Sequence, residues 1–90
     1  MKKPKMHYYF GEVEEHNGEY KYNQKYLFKT TGNPEEYTKK VARDWYGEDS
    51  SRTEEDGGFW HNGEVITYPG SHQRISEDNF KVMKRYLLVL

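Results

Sequence analysis

The sequence predicts an α+β fold, with an antiparallel sheet built from two hairpins and two helices packed on it. Three observations predict it. Asn17-Gly18 and Asn62-Gly63 each have the signature of a tight hairpin turn, and residues 20–30 alternate apolar with polar positions. Asn33 and Ser76 each open a segment carrying helix start signals. The chain has 90 residues, which fits one domain and leaves little for a second core. The predicted order is β-β-α-β-β-α in a single domain over 1–90, with a basic tail at 1–5 and an acidic mobile loop at 47–58.

Residues 6–30 form the first predicted hairpin. A type I′ turn suits Asn17-Gly18, because both central residues need positive φ. That turn pairs Val13 with Tyr22, Tyr9 with Tyr26 and His7 with Phe28. Tyr20, Tyr22, Tyr26 and Phe28 then share one face, while Lys21, Lys25 and Lys29 share the other. The lysine face also carries Met6, Tyr8, Phe10 and Leu27, so its open end is apolar and needs a cover. The cover is either this chain or another.

Residues 33–46 read as a helix. Asn33 is the N-cap, Pro34 takes the first helical position, and Glu35 and Glu36 meet the positive end of the helix dipole. Tyr37, Val41 and Trp45 recur at four-residue spacing as the buried stripe, with Ala42 beside it. The stretch 47–58 holds five acids and one Arg, and ends in two glycines. A second hairpin follows, with a type I′ turn at Asn62-Gly63 pairing His61 with Glu64, Trp60 with Val65 and Phe59 with Ile66. Pro69-Gly70 ends its outgoing strand. Ser76 caps the second helix, Ile75 and Phe80 have the spacing of a hydrophobic staple, and Phe80, Met83 and Leu87 form its apolar stripe. The run "LLVL" at 87–90 fits either a helix extension or a short strand.

Composition narrows the function. Leu, Ile, Val and Phe number only 15, but 15 residues are aromatic, nine of them Tyr, and the formal net charge is −1. Few aliphatics with many aromatics and little net charge describe a folded domain with a Tyr-rich core rather than a disordered chain. The absence of cysteine excludes disulfides, thiolate catalysis and Cys-ligated zinc. No apolar run approaches the length of a membrane span, and the start lacks the apolar segment of a secretory signal, so a cytoplasmic location is expected.

Chemistry finds little footing. His7, His16, His61 and His72 lack the compact spacing that offers two ligands to one ion, and no cofactor is expected. His61 and Glu64 read as an exposed cross-strand pair. No nucleophile elbow, P-loop or dinucleotide fingerprint is present, so the chain reads as non-enzymatic. Lys21, Lys25 and Lys29 beside Tyr8 and Phe10 suggest a sheet face for single-stranded nucleic acid, but Glu12 and Glu14 share that face and near-neutral charge opposes it.

Protein binding has the better support, since Tyr and Trp are favoured at interfaces. The expected contact residues are Tyr8, Phe10, Leu27 and Trp60, with Glu48, Asp49, Glu54, Glu55 and Asp56 of the loop as charged auxiliaries. The expected partner is a protein, whether a nucleic-acid-handling complex or a second copy. Tiny, cysteine-free and without catalytic motifs, the chain resembles in general character the small accessory proteins of phages and plasmids. Anti-CRISPR and other anti-defence inhibitors are among these. That resemblance implies action by occluding a larger machine, and no motif carries residues across.

Overall fold

The computed structural model describes residues 5–47, 52–53, 55–61, 63 and 65–90. Its elements in chain order are β1 (His7–Asn17), β2 (Tyr20–Thr30), α1 (Pro34–Arg43), β3 (Arg52–Thr53), β4 (Phe59–Trp60), β5 (Val65–Ile75), α2 (Glu77–Met83) and β6 (Leu88–Val89). They form one sheet in the order β3-β4-β5-β1-β2-β6 with two helices, an α+β architecture. The sheet is mixed rather than purely antiparallel, because β6 runs parallel to β2. The "LLVL" segment thus adds a strand that the expected order lacked, and β3 adds another within the predicted loop.

The first hairpin forms where expected but turns one residue later. Asn17 pairs with Tyr20, leaving Gly18 and Glu19 as the loop, and Gly18 has φ 60° while Glu19 does not go positive. Glycine at the first central position is the type II′ requirement, so the turn is not the type I′ the dipeptide suggested. Val13 consequently faces Gln24, and Tyr9 faces Phe28. The two-residue shift is even, so every side chain stays on its predicted face.

The α1 face holds the core. Tyr9, Val13, Tyr26, Phe28 and Ala42 are buried together, with Tyr37, Val41, Trp45 and Phe59 packed at the margin. Flat rings continue through it: Tyr9 stacks on Phe28 at 4.9 Å, and Phe28 on Tyr37 at 4.5 Å. Asn33 caps α1 by accepting from the Glu35 N–H at 2.8 Å. The helix sits rotated from its predicted stripe. Thr38 and Ala42 are fully buried, whereas Tyr37, Val41 and Trp45 are half-buried along one flank. Asp44 leaves helical geometry as the C-cap, so the helix ends short of the predicted residue 46.

The second hairpin departs further. Its loop has three residues, 62–64, closed by the His61 N–H donating to the Val65 carbonyl at 2.8 Å, with Gly63 at φ 77°. Phe59 therefore pairs with Thr67, and Trp60 with Ile66. A one-residue slip moves side chains to the opposite face. His61 turns inward and is buried, not exposed beside Glu64, which lies outside the described residues.

The outgoing strand does not end at Pro69-Gly70. Glu12 of β1 sits opposite both Gly70 and Ser71 in a β-bulge, and β5 continues to Ile75. A Cβ on Gly70 would stand 2.7 Å from the Glu12 carbonyl oxygen, so only glycine allows that approach. On the other face, α2 is capped by Ser76 Oγ, which accepts from the Asn79 N–H. Phe80 of α2 meets Tyr8 with ring centroids 4.9 Å apart.

Candidate functional site

The expected contact surface on the lysine face divides in two. Its apolar end is covered: Leu27 is fully buried, Tyr8 lies against Phe80, and Phe10 is half-buried. Leu27 therefore cannot meet a partner, since its side chain is fully buried. Trp60 is half-buried beside Ile66 on the same side of the sheet. Glu48, Asp49 and Glu54 lie outside the described residues. Glu55 is exposed, and Asp56 is tied into the fold. Its carboxylate accepts from the Gly58 N–H at 3.1 Å and from the Tyr68 hydroxyl at 2.7 Å, and the latter bond holds its pKa below the usual carboxylate value.

An apolar groove lies elsewhere, between α1 and β6. From Met83 the chain tightens through a turn, with the Tyr86 and Leu87 N–H groups both donating to the Met83 carbonyl, and delivers Leu88 to the side of Tyr26. The Leu90 N–H then donates to the Leu27 carbonyl at 2.9 Å, and the Tyr37 hydroxyl donates to the main-chain oxygen of Leu90 at 2.8 Å. These bonds hold β6 across from α1 and leave a groove of about 340 Å³ between them.

The rotation of α1 makes this groove. By burying Thr38 and Ala42, the helix turns Tyr37, Val41 and Trp45 sideways as one wall, and Leu88 and Leu90 supply the other. Lys40 and Asp44 are its polar lining. Asp44 is held ionised chiefly by hydrogen bonds from the Arg43 guanidinium, which keep its pKa below the ordinary value. The site has one anion and one cation on an otherwise apolar surface, which suits an apolar side chain with a polar backbone. Among the described residues no cluster of three or more His, Asp or Glu is placed to hold a metal ion.

No family model, curated protein or solved structure matches the chain. Function is therefore read from the groove and the edge beside it. Leu88 is 56% exposed, Val89 44% and Leu90 40%, and Val82 and Tyr86 of the preceding segment are exposed as well. Because Leu90 directs its N–H toward β2, alternation turns the N–H and C=O of Val89 outward, along the free side of the edge strand. The groove is not legible in the sequence, since "LLVL" has no periodicity to place it. Among the described residues, no helix is long and apolar enough to cross a membrane.

Proposed function

We propose that this chain is a non-enzymatic protein-binding module that captures an extended segment of a larger protein along β6 and acts by occluding it. One observation carries the reading: the two-residue edge strand β6 and Leu90 after it expose three consecutive apolar residues beside an apolar groove. An added strand gains main-chain hydrogen bonds from the edge, and its alternate side chains enter the groove for specificity. A leucine-sized side chain buried there gains about 1.5–3 kcal/mol. The likeness in type to anti-defence inhibitors extends the proposal to a nucleic-acid-handling complex as the occluded partner. Defence or phage genes found beside the coding sequence would support that extension.

The test is partner capture by the wild-type chain and by Leu88→Asp and Val89→Pro variants, with folding checked by thermal melts. Charge in the groove and loss of the outward N–H should each abolish capture while the melt stays cooperative. Undiminished capture by folded variants rules out the β6 edge.

A second reading, single-stranded nucleic-acid binding, draws on Lys21 and Lys25. Both are exposed, and neither amine has a carboxylate within ion-pair distance among the described residues. Glu12 stands opposite Lys25, however, and Glu14 opposite Asn23, which places acids along the same track. Oligonucleotide affinity that falls steeply with salt is the signature of this reading.

A further inference from the structure

We infer that a second extended stretch of the captured partner, alternating acidic with apolar or aromatic residues, pairs with the open edge of β2 at Lys21 and Asn23, in the lane that β6 occupies further along. This inference rests on the strand-capture reading and specifies its partner. The edge is long enough to matter: β6 pairs only with Tyr26 and Leu27, and residues 20–25 of β2 are all exposed, with no described strand beside them.

Its hydrogen-bonding groups can be placed. The Leu27 carbonyl accepts from Leu90, so odd-numbered residues of β2 direct their main chain toward the edge. Lys21 and Asn23 therefore present N–H and C=O groups outward, while the even-numbered residues turn theirs toward β1.

Side chains set the partner's pattern. Lys21, Asn23 and Lys25 project from one face, and Tyr20 and Tyr22 from the other. Tyr20 is 67% exposed and Tyr22 46%, with their rings stacked at a centroid distance of 6.3 Å. A strand laid along this edge meets ammonium groups on one side and aromatic rings on the other. Cross-strand pairing favours opposite charge beside the lysines and apolar or aromatic groups beside the tyrosines. A second copy fits poorly, because antiparallel pairing of two β2 edges about Asn23 sets Lys21 directly opposite Lys25 of its twin. Like charges facing each other destabilise such a pair. Lysines on an edge block indiscriminate pairing, and here they leave an acidic strand as the matching occupant.

The experiment uses the full chain, isotope-labelled for amide NMR. It is titrated with a short blocked peptide alternating glutamate with leucine, with the lysine–leucine counterpart, and with oligothymidylate. The glutamate peptide should shift the Lys21 and Asn23 amides, and the lysine peptide should not bind. Lys21→Glu with Lys25→Glu should weaken the glutamate peptide by about tenfold or more and admit the lysine peptide.

Shifts confined to residues 88–90, unchanged by charge reversal, overturn this inference and leave the groove reading standing. No binding of either peptide overturns it too, and the strand-capture reading then stands or falls on the Leu88→Asp result. Oligothymidylate binding that charge reversal abolishes, without glutamate-peptide binding, assigns the lysines to nucleic acid and overturns it as well.

Discussion

The ring of Tyr26 packs against the backbone of Gly11, so close that a Cβ added there would stand 2.8 Å from Tyr26 Cζ. The contact locks the centre of the sheet, and it encloses the Tyr26 hydroxyl. That oxygen is buried without a hydrogen-bond partner among the described residues, and burial raises its pKa. Gly11→Ala should cost about 1–3 kcal/mol through overpacking. Tyr26→Phe should instead stabilise the domain by about 1 kcal/mol or more, because it removes an unsatisfied buried donor. Denaturant melts of both variants check this, and a destabilised Tyr26→Phe protein contradicts it.

How far the sequence reveals the fold depends on parity. Asn17-Gly18 misplaces the first turn by one residue, yet the pairing error is two, so the Tyr9–Tyr26–Phe28 face is read correctly. Asn62-Gly63 suggests a two-residue loop where the chain uses three, and that odd error sends His61 to the wrong face. Helix caps at Asn33 and Ser76 are legible because capping is local chemistry. The partnership of β6 with β2 is not local, and it decides the groove. The full burial of Leu27 is likewise set by tertiary packing and removes it from the expected contact residues, while Tyr8 and Phe10 stay half-buried.

Leu27→Ala separates core from interface in one step. The side chain is fully buried, so truncation should cost about 2–5 kcal/mol. In a domain of this size each kcal/mol lowers Tm by roughly 4–8 °C. Leu88→Ala, on the exposed edge, should barely move the melt while weakening capture. Equal and small thermal effects for the two variants contradict the placement of Leu27.

Asn33→Ala offers a calibration at the Tyr37 end of the groove. The Asn33 side chain satisfies the Glu35 N–H at the start of α1, and α1 forms one wall of the groove. Loss of the cap should cost about 1 kcal/mol. Amide exchange in the first turn of α1 should quicken, and the Val41 and Trp45 end of the groove should be unaffected.

His61 makes stability depend on acid. Its Nε2 lies 2.9 Å from Thr67 Oγ1, and Thr67 donates onward to the Ala42 carbonyl at 2.6 Å. The single Thr67 proton is thereby used, so His61 Nε2–H is the donor to Thr67 and the imidazole sits neutral in the chain of bonds. Burial lowers its pKa from 6.5, and the Ala42 carbonyl and the Glu15 carboxylate offset part of that shift. A depressed pKa means the unfolded chain binds the proton more readily than the folded one. The stabilisation is complete above pH 6.5 and is lost as pH falls below it toward the folded value. At the alkaline end Tyr46 works in the opposite sense. Its hydroxyl donates to Glu15, chiefly that bond pushes its pKa up to about 12, and stability falls as pH rises from 10 toward that value. Denaturant midpoints across pH should therefore fall at both ends. His61→Gln should shrink the acid limb and leave the alkaline limb, whereas Tyr46→Phe should shrink the alkaline limb, to which buried Tyr26 also contributes, and leave the acid limb. An acid limb undiminished by His61→Gln assigns it to another group.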